Sequence, residues 1–220
     1  MSIFAIIFHK QKIIIMGHSY GTLLGINYVV SQPERVLCYV GIGQTISITD
    51  TQEANYNEIV AQNPKKNKLI TAYKSFKACP CLKHLSSFQK LSLQYFSKKI
   101  KLEQRNPLKI ILSSPDLTWR DLRWFFGMLS FKKHYNRNKK LLDYTLSANT
   151  YSAGKEFSVP MFFISGEFDK HCNVALVKKY SETITAPIKD MIIMEKCGHS
   201  PQIDNPKETA HEVKKLILRI

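Results

Sequence analysis

The chain has 220 residues, of which 44% are hydrophobic, and a formal charge of +15. That is enough for one sizeable core, and no apolar run reaches the ~18–20 residues of a membrane span. Cys38, Cys79, Cys81, Cys172 and Cys197 are too few and too scattered for a disulfide framework, which points to reduced thiols in a cytoplasmic protein.

The charge is unevenly placed. Residues 51–150 hold 19 Lys and Arg against 6 Asp and Glu, so the remainder is nearly neutral. Lys dominates and no recognition motif accompanies it. The stretch therefore reads as a solvated helical surface, with binding of nucleic acid or an anionic membrane as a minor alternative.

Residues 2–8 are apolar, but no basic residue precedes them and no small-residue cleavage site follows. They read as core rather than a signal peptide. Residues 12–16 predict a buried parallel strand, followed by Gly17-His18-Ser19-Tyr20-Gly21. Residues 22–30 then have helical apolar spacing and end before Pro33. Strand, G-x-S-x-G and helix together make a nucleophile elbow, in which the strained serine lifts its hydroxyl above the sheet. Gly17 and Gly21 are expected to permit close backbone approach there.

A second buried strand spans 36–42, with Cys38 in the core. Residues 50–150 carry no strand signal. Tyr73, Phe76, Leu82, Leu85, Leu91, Leu93, Tyr95 and Phe96 fit helical pieces broken near Pro80. Cys79-Pro80-Cys81 has no matching second pair and reads as structural or incidental. Turns fall at Pro107 and at Ser113-Ser114-Pro115. A further helix starts near Thr118, with Trp119, Leu122, Phe125, Phe126 and Leu129 on its apolar face.

Residues 159–165 predict a third buried strand, which runs into Gly166-Glu167-Phe168-Asp169. A helix follows at 174–183. A fourth strand at 191–195 runs into Cys197-Gly198-His199-Ser200-Pro201, and a last helix covers about 206–218. Such alternation implies an α/β fold with parallel strands and crossover helices.

Sites in these sheets form at the carboxyl ends of the strands. A serine nucleophile needs a base, and the base needs an acid to orient it. In elbow hydrolases they follow in the order Ser, Asp or Glu, His. Ser19 is thus the candidate nucleophile, Asp169 the acid with Glu167 as its rival, and His199 the base. The backbone N–H of Tyr20 is the candidate oxyanion donor. Asp204 follows the histidine and breaks the order. His18 is expected to diverge from Ser19 in the tight turn. His171 and His211 read as surface or packing residues, and His84 and His134 have no obvious partner.

The elbow, the two strand-end turns and the helical insert resemble the α/β-hydrolase superfamily, with the closest look to proline iminopeptidase-like members. The resemblance runs from about Lys10 to the end. It implies a truncated α/β-hydrolase fold: a mostly parallel sheet of about four strands with flanking helices. Residues 1–50 and 151–220 would form the core, and 51–150 a helical cap. It also implies a serine hydrolase without metal or cofactor, acting on a small ester, an amide or a short peptide.

Two family features are missing. The His-Gly-Gly-Pro-Gly-type oxyanion segment has no counterpart, and the acidic cap residues that bind a substrate amine have no clear match. Only 18 residues precede Ser19, so the N-terminal strands of the family are expected to have no counterpart in this sequence. The expectation is a shortened or split chain of impaired activity. It would expose its 12–16 strand to self-association or to a missing N-terminal half. The alternative is a non-catalytic remnant.

Overall fold

A computed structural model describes residues 11–99, 112, 115–128 and 131–220. The lead-in at 2–8, the turns at Pro107 and Ser113-Ser114, and Leu129 lie outside the described residues.

Four parallel strands form one sheet: β1 (Ile13–His18), β2 (Val36–Ile42), β3 (Met161–Gly166) and β4 (Lys189–Met194), in the order β1-β2-β3-β4. Met16 pairs with Val40, Ile42 with Ile164, and Gly166 with Met194, so all four strands end along one edge. β2 is joined to β1 by α1 (Tyr20–Ser31), and β4 to β3 by α7 (Val174–Thr183).

Period-two alternation divides the strand side chains between two faces. Tyr39, Met161 and Phe163 pack with Ile26 and Val29 of α1 and with Val177 and Tyr180 of α7. Cys38, Val40, Ile42, Phe162 and Ile164 pack on the opposite face against Val213, Leu216 and Ile217 of α9 (Pro206–Ile217). α8 (Pro201–Asp204) is a single turn before it.

The sequence predicts four buried strands, and the structure buries two. β2 and β3 have neighbours on both sides and are almost wholly enclosed. β1 ends the sheet among the described residues, leaving Met16 50% exposed, and β4 is covered unevenly.

Between β2 and β3 the chain is helical: α2 (Ile48–Gln62), α3 (Asn67–Ala78), α4 (Leu82–Lys99), α5 (Trp119–Met128) and α6 (Phe131–Ser147). The break near Pro80 and the start after Thr118 fall as predicted. α2 and α6 have no counterpart in the sequence reading. The face that α2 buries is mostly polar (Thr51, Gln52 and Asn55 beside Ile59), so apolar periodicity is weak. Its one local signal is the cap, where the Ser47 hydroxyl accepts the Asp50 N–H. α6 is rich in Lys and is interrupted at Asn138 (φ −113°, ψ 16°). Tyr56 stacks on Tyr73 at 3.9 Å, and Phe88 lies 5.3 Å from Tyr73, giving this layer its own aromatic core. No helix among the described residues is long and apolar enough to cross a membrane.

Candidate active site

Ser19 sits where β1 turns into α1. Its φ of 53° and ψ of −122° are a strained backbone for a residue with a Cβ, of the kind that costs about 1–3 kcal/mol. Three bonds hold it there. The Ser19 N–H donates to the Ile42 carbonyl at 3.0 Å, the Ser19 carbonyl accepts the Thr22 N–H at 2.9 Å, and the Thr22 hydroxyl donates to the same oxygen.

The structure separates the two elbow glycines. A Cβ on Gly17 would lie 2.7 Å from the Gly21 carbonyl oxygen, whereas a Cβ on Gly21 meets nothing within 4 Å. The tight approach depends on Gly17. Tyr20 is the first residue of α1, so its N–H has no acceptor within the helix.

Asp169 lies just past β3 and is 2% exposed. Its Oδ1 accepts the backbone N–H groups of His171 and Cys172, each at 2.8 Å, and its Oδ2 lies 2.9 Å from His199 Nδ1. A carboxylate there accepts a hydrogen bond from Nδ1–H, which leaves the Nε2 lone pair to accept from the Ser19 hydroxyl at 2.8 Å. Ser19, His199 and Asp169 thus form one continuous chain of hydrogen bonds. Glu167 points elsewhere: its Oε2 accepts the N–H of Lys196 at 3.0 Å, bracing a residue with a φ of 55°. Asp204 accepts the Gly198 N–H at 2.8 Å and so steadies the turn that carries His199.

Several residues at this site had no assigned role in the sequence. Gly43 has a φ of 54°, and a Cβ on it would sit 3.3 Å from both Asp169 Oδ2 and His199 Cε1. Asn55 of α2, 1% exposed, donates from Nδ2 to the Lys170 carbonyl at 2.7 Å, next to Asp169. The His18 ring turns to His199. Its Nε2–H donates to the His199 carbonyl at 3.0 Å, and the two rings are 4.9 Å apart. The His171 ring is 4.8 Å from His199. Burial lowers the pKa of His18 below 6.5. At His171 burial again leads, and the neighbouring His199 adds to the lowering. No local pattern announces these contacts, because each joins residues from separate elements. Only the S-x-x-D cap at Ser47 marks the helix that carries Asn55.

Asp169, Cys172 and His199 also bring potential ligand atoms within 4.8 Å of one another. Both carboxylate oxygens and both ring nitrogens are already engaged in hydrogen bonds. Cys172 is buried, its thiol pushed strongly towards the neutral form, and its sulfur is 3.4 Å from the Thr45 hydroxyl. A cavity of about 530 Å³ opens beside His199, walled by Phe168 and Lys170 from the β3 loop and by Lys90, Leu93 and Phe96 from α4.

Residues 7–206 match the family defined by the alpha/beta hydrolase fold, and the chain belongs to that family. It is similar to the probable aminopeptidase YbaC of Bacillus subtilis (strain 168), at 25% identity over 207 residues. The match covers 90% of this chain and 63% of that protein, so the chain spans less than two thirds of its relative's length. Among solved structures, the proline iminopeptidase of Mycobacterium smegmatis aligns with a TM-score of 0.60 at 15% identity, over 98% of this chain and 68% of the other. MGS-MChE2, an alpha/beta hydrolase enzyme from the metagenome of lagoon sediments at Mar Chica, Morocco, aligns with a TM-score of 0.56 at 12% identity, over 98% and 65%. Both likenesses establish the shared fold.

Proposed function

We propose that the protein is a serine hydrolase that cleaves a small ester, or a peptide bond near an N-terminus, through an acyl-enzyme on Ser19. The observation that carries this reading is the relay from Ser19 Oγ to His199 Nε2 (2.8 Å) and from His199 Nδ1 to Asp169 Oδ2 (2.9 Å), on a strained elbow. His199 takes the Ser19 proton as Oγ attacks the substrate carbonyl. Asp169 holds the imidazole in the required tautomer and stabilises the imidazolium. The Tyr20 N–H faces the developing oxyanion as one donor, and a donor of this kind contributes about 10²–10³ in rate. His199 then protonates the leaving group and activates the water that releases the acyl chain.

The similarity to a probable aminopeptidase favours the peptide substrate, and the helices between β2 and β3 would act as a cap that shapes its pocket. On the cysteine pattern we assign the protein to the cytoplasm. The test is reaction of the full chain with a fluorophosphonate probe. Labelling should map to Ser19 and vanish in Ser19→Ala. A folded, unlabelled wild type would sink the reading.

A second reading rests on the outer edge of β1, which has no neighbouring strand among the described residues. Ile14 and Met16 are 37% and 50% exposed, and Met16 borders an apolar groove of about 460 Å³ that extends over α9. In this reading the chain catalyses poorly alone and pairs that edge with a second chain, such as another copy of itself. Sedimentation equilibrium separates the two: a compact monomer that turns over substrate rules out the second.

A further inference from the structure

The turn between α3 and α4 gathers three metal-binding side chains at a place with no part in the proposed hydrolysis. Cys79 ends α3, its N–H donating to the Ser75 carbonyl at 3.1 Å. Pro80 stops the helix. Cys81 immediately precedes α4, its carbonyl accepting the Leu85 N–H at 2.8 Å. His84 follows within the first turn. The spacing C-x-C-x-x-H is unremarkable on paper, because the cysteines lack a second pair. The fold supplies the missing ligand instead. Both sulfurs and one ring nitrogen of His84 lie within 4.8 Å of one another.

The chemistry of the cluster suits a soft cation. Zn–S and Zn–N bonds of about 2.3 and 2.0 Å put two ligands of one tetrahedral ion about 3.5–4 Å apart, a gap that side-chain rotation spans. His84 Nδ1 is 2.9 Å from the Cys79 carbonyl, which can only accept, so Nδ1 carries the proton and Nε2 keeps its lone pair. An N–H anchored on a backbone carbonyl is how metal-binding histidines are commonly oriented. Cys79 is exposed and its two partners are partly so, which gives an ion a path from solvent.

We propose that Cys79, Cys81 and His84 bind one thiophilic divalent cation, zinc(II) in the first instance, with water as the fourth ligand. Two S–H groups release their protons to solvent as two Zn–S bonds form, and Nε2 contributes its lone pair. No electron changes hands. The ion ties the end of α3 to the start of α4, the two helices that bring Tyr73 and Phe88 together.

The test uses the full chain without a polyhistidine tag, kept reduced with a phosphine, stripped with chelator and titrated with cobalt(II). One equivalent should produce a thiolate-to-cobalt charge-transfer band that zinc abolishes. Cys79→Ser, Cys81→Ser and His84→Ala should each weaken zinc binding about 100-fold or more, and Cys38→Ser should leave it unchanged. On the wild type itself, zinc should protect Cys79 and Cys81 from alkylation, mapped by mass spectrometry, which covers the case of a variant that fails to fold. No charge-transfer band on the reduced protein, or stoichiometric binding that survives loss of both cysteines, overturns the proposal. Neither readout depends on hydrolase activity.

Discussion

The Ser19 hydroxyl lies 2.8 Å from Nε2 of His199, across 180 residues of sequence. The contact is useful only if Asp169, not Glu167, holds the other ring nitrogen. Asp169→Asn should lower kcat by about 10⁴ with the fold intact, because the amide favours the wrong imidazole tautomer. Glu167→Gln should leave kcat close to wild type, since its carboxylate braces Lys196 and not His199. Steady-state kinetics on a chromogenic ester and an aminoacyl anilide, with circular dichroism on both variants, checks the pair.

The elbow glycines should respond in opposite ways. Gly17→Ala forces a methyl to within 2.7 Å of the Gly21 carbonyl oxygen, on an unyielding backbone. It should cost about 3 kcal/mol or more. Gly21→Ala enters open space inside α1 and should be neutral or stabilising by up to about 1 kcal/mol, as for alanine in a helix. Urea unfolding at constant m-value measures both.

Acid should weaken the fold through His18 and His171. Burial leads the lowering of both pKa values below 6.5, so the folded chain binds these protons less readily than the unfolded chain. Above pH 6.5 both states are neutral at these sites and stability is at its full value. As pH falls from 6.5 through the lowered folded pKa values, the unfolded state gains protons first and stability is lost. Tm should therefore drop between pH 7.5 and 5.5, and the double variant His18→Gln, His171→Gln should show a shallower drop. Differential scanning calorimetry across that range decides it, and equal slopes would refute the assignment.

Asn55 of α2 reaches the loop that carries Asp169 through the Lys170 carbonyl. Lys170 is also held by Glu58 at 2.7 Å and lies 4.6 Å from the Phe96 ring. Asn55→Ala leaves a carbonyl without its partner and should cost about 1–3 kcal/mol. Faster hydrogen exchange at His171 and Cys172, whose N–H groups bind Asp169, would show that the loss reaches the acid.

Local patterns in the chain are enough to mark β1 to β4, α7, α9, the elbow and the strand-end positions of Asp169 and His199. Apolar spacing, glycines and prolines act within a few residues, and parallel strands with crossovers leave little freedom in order and direction. α2 escapes notice because it buries Thr51, Gln52 and Asn55, whose partners lie far away in sequence. Which carboxylate turns towards His199, which glycine is crowded, and that His18 meets His199 are decided by side-chain direction in loops that only packing orients. The same holds for Cys79, Cys81 and His84. Their spacing is written in the chain, but a helix end, a proline and a second helix must fold before two sulfurs and a ring nitrogen come within 4.8 Å of one another.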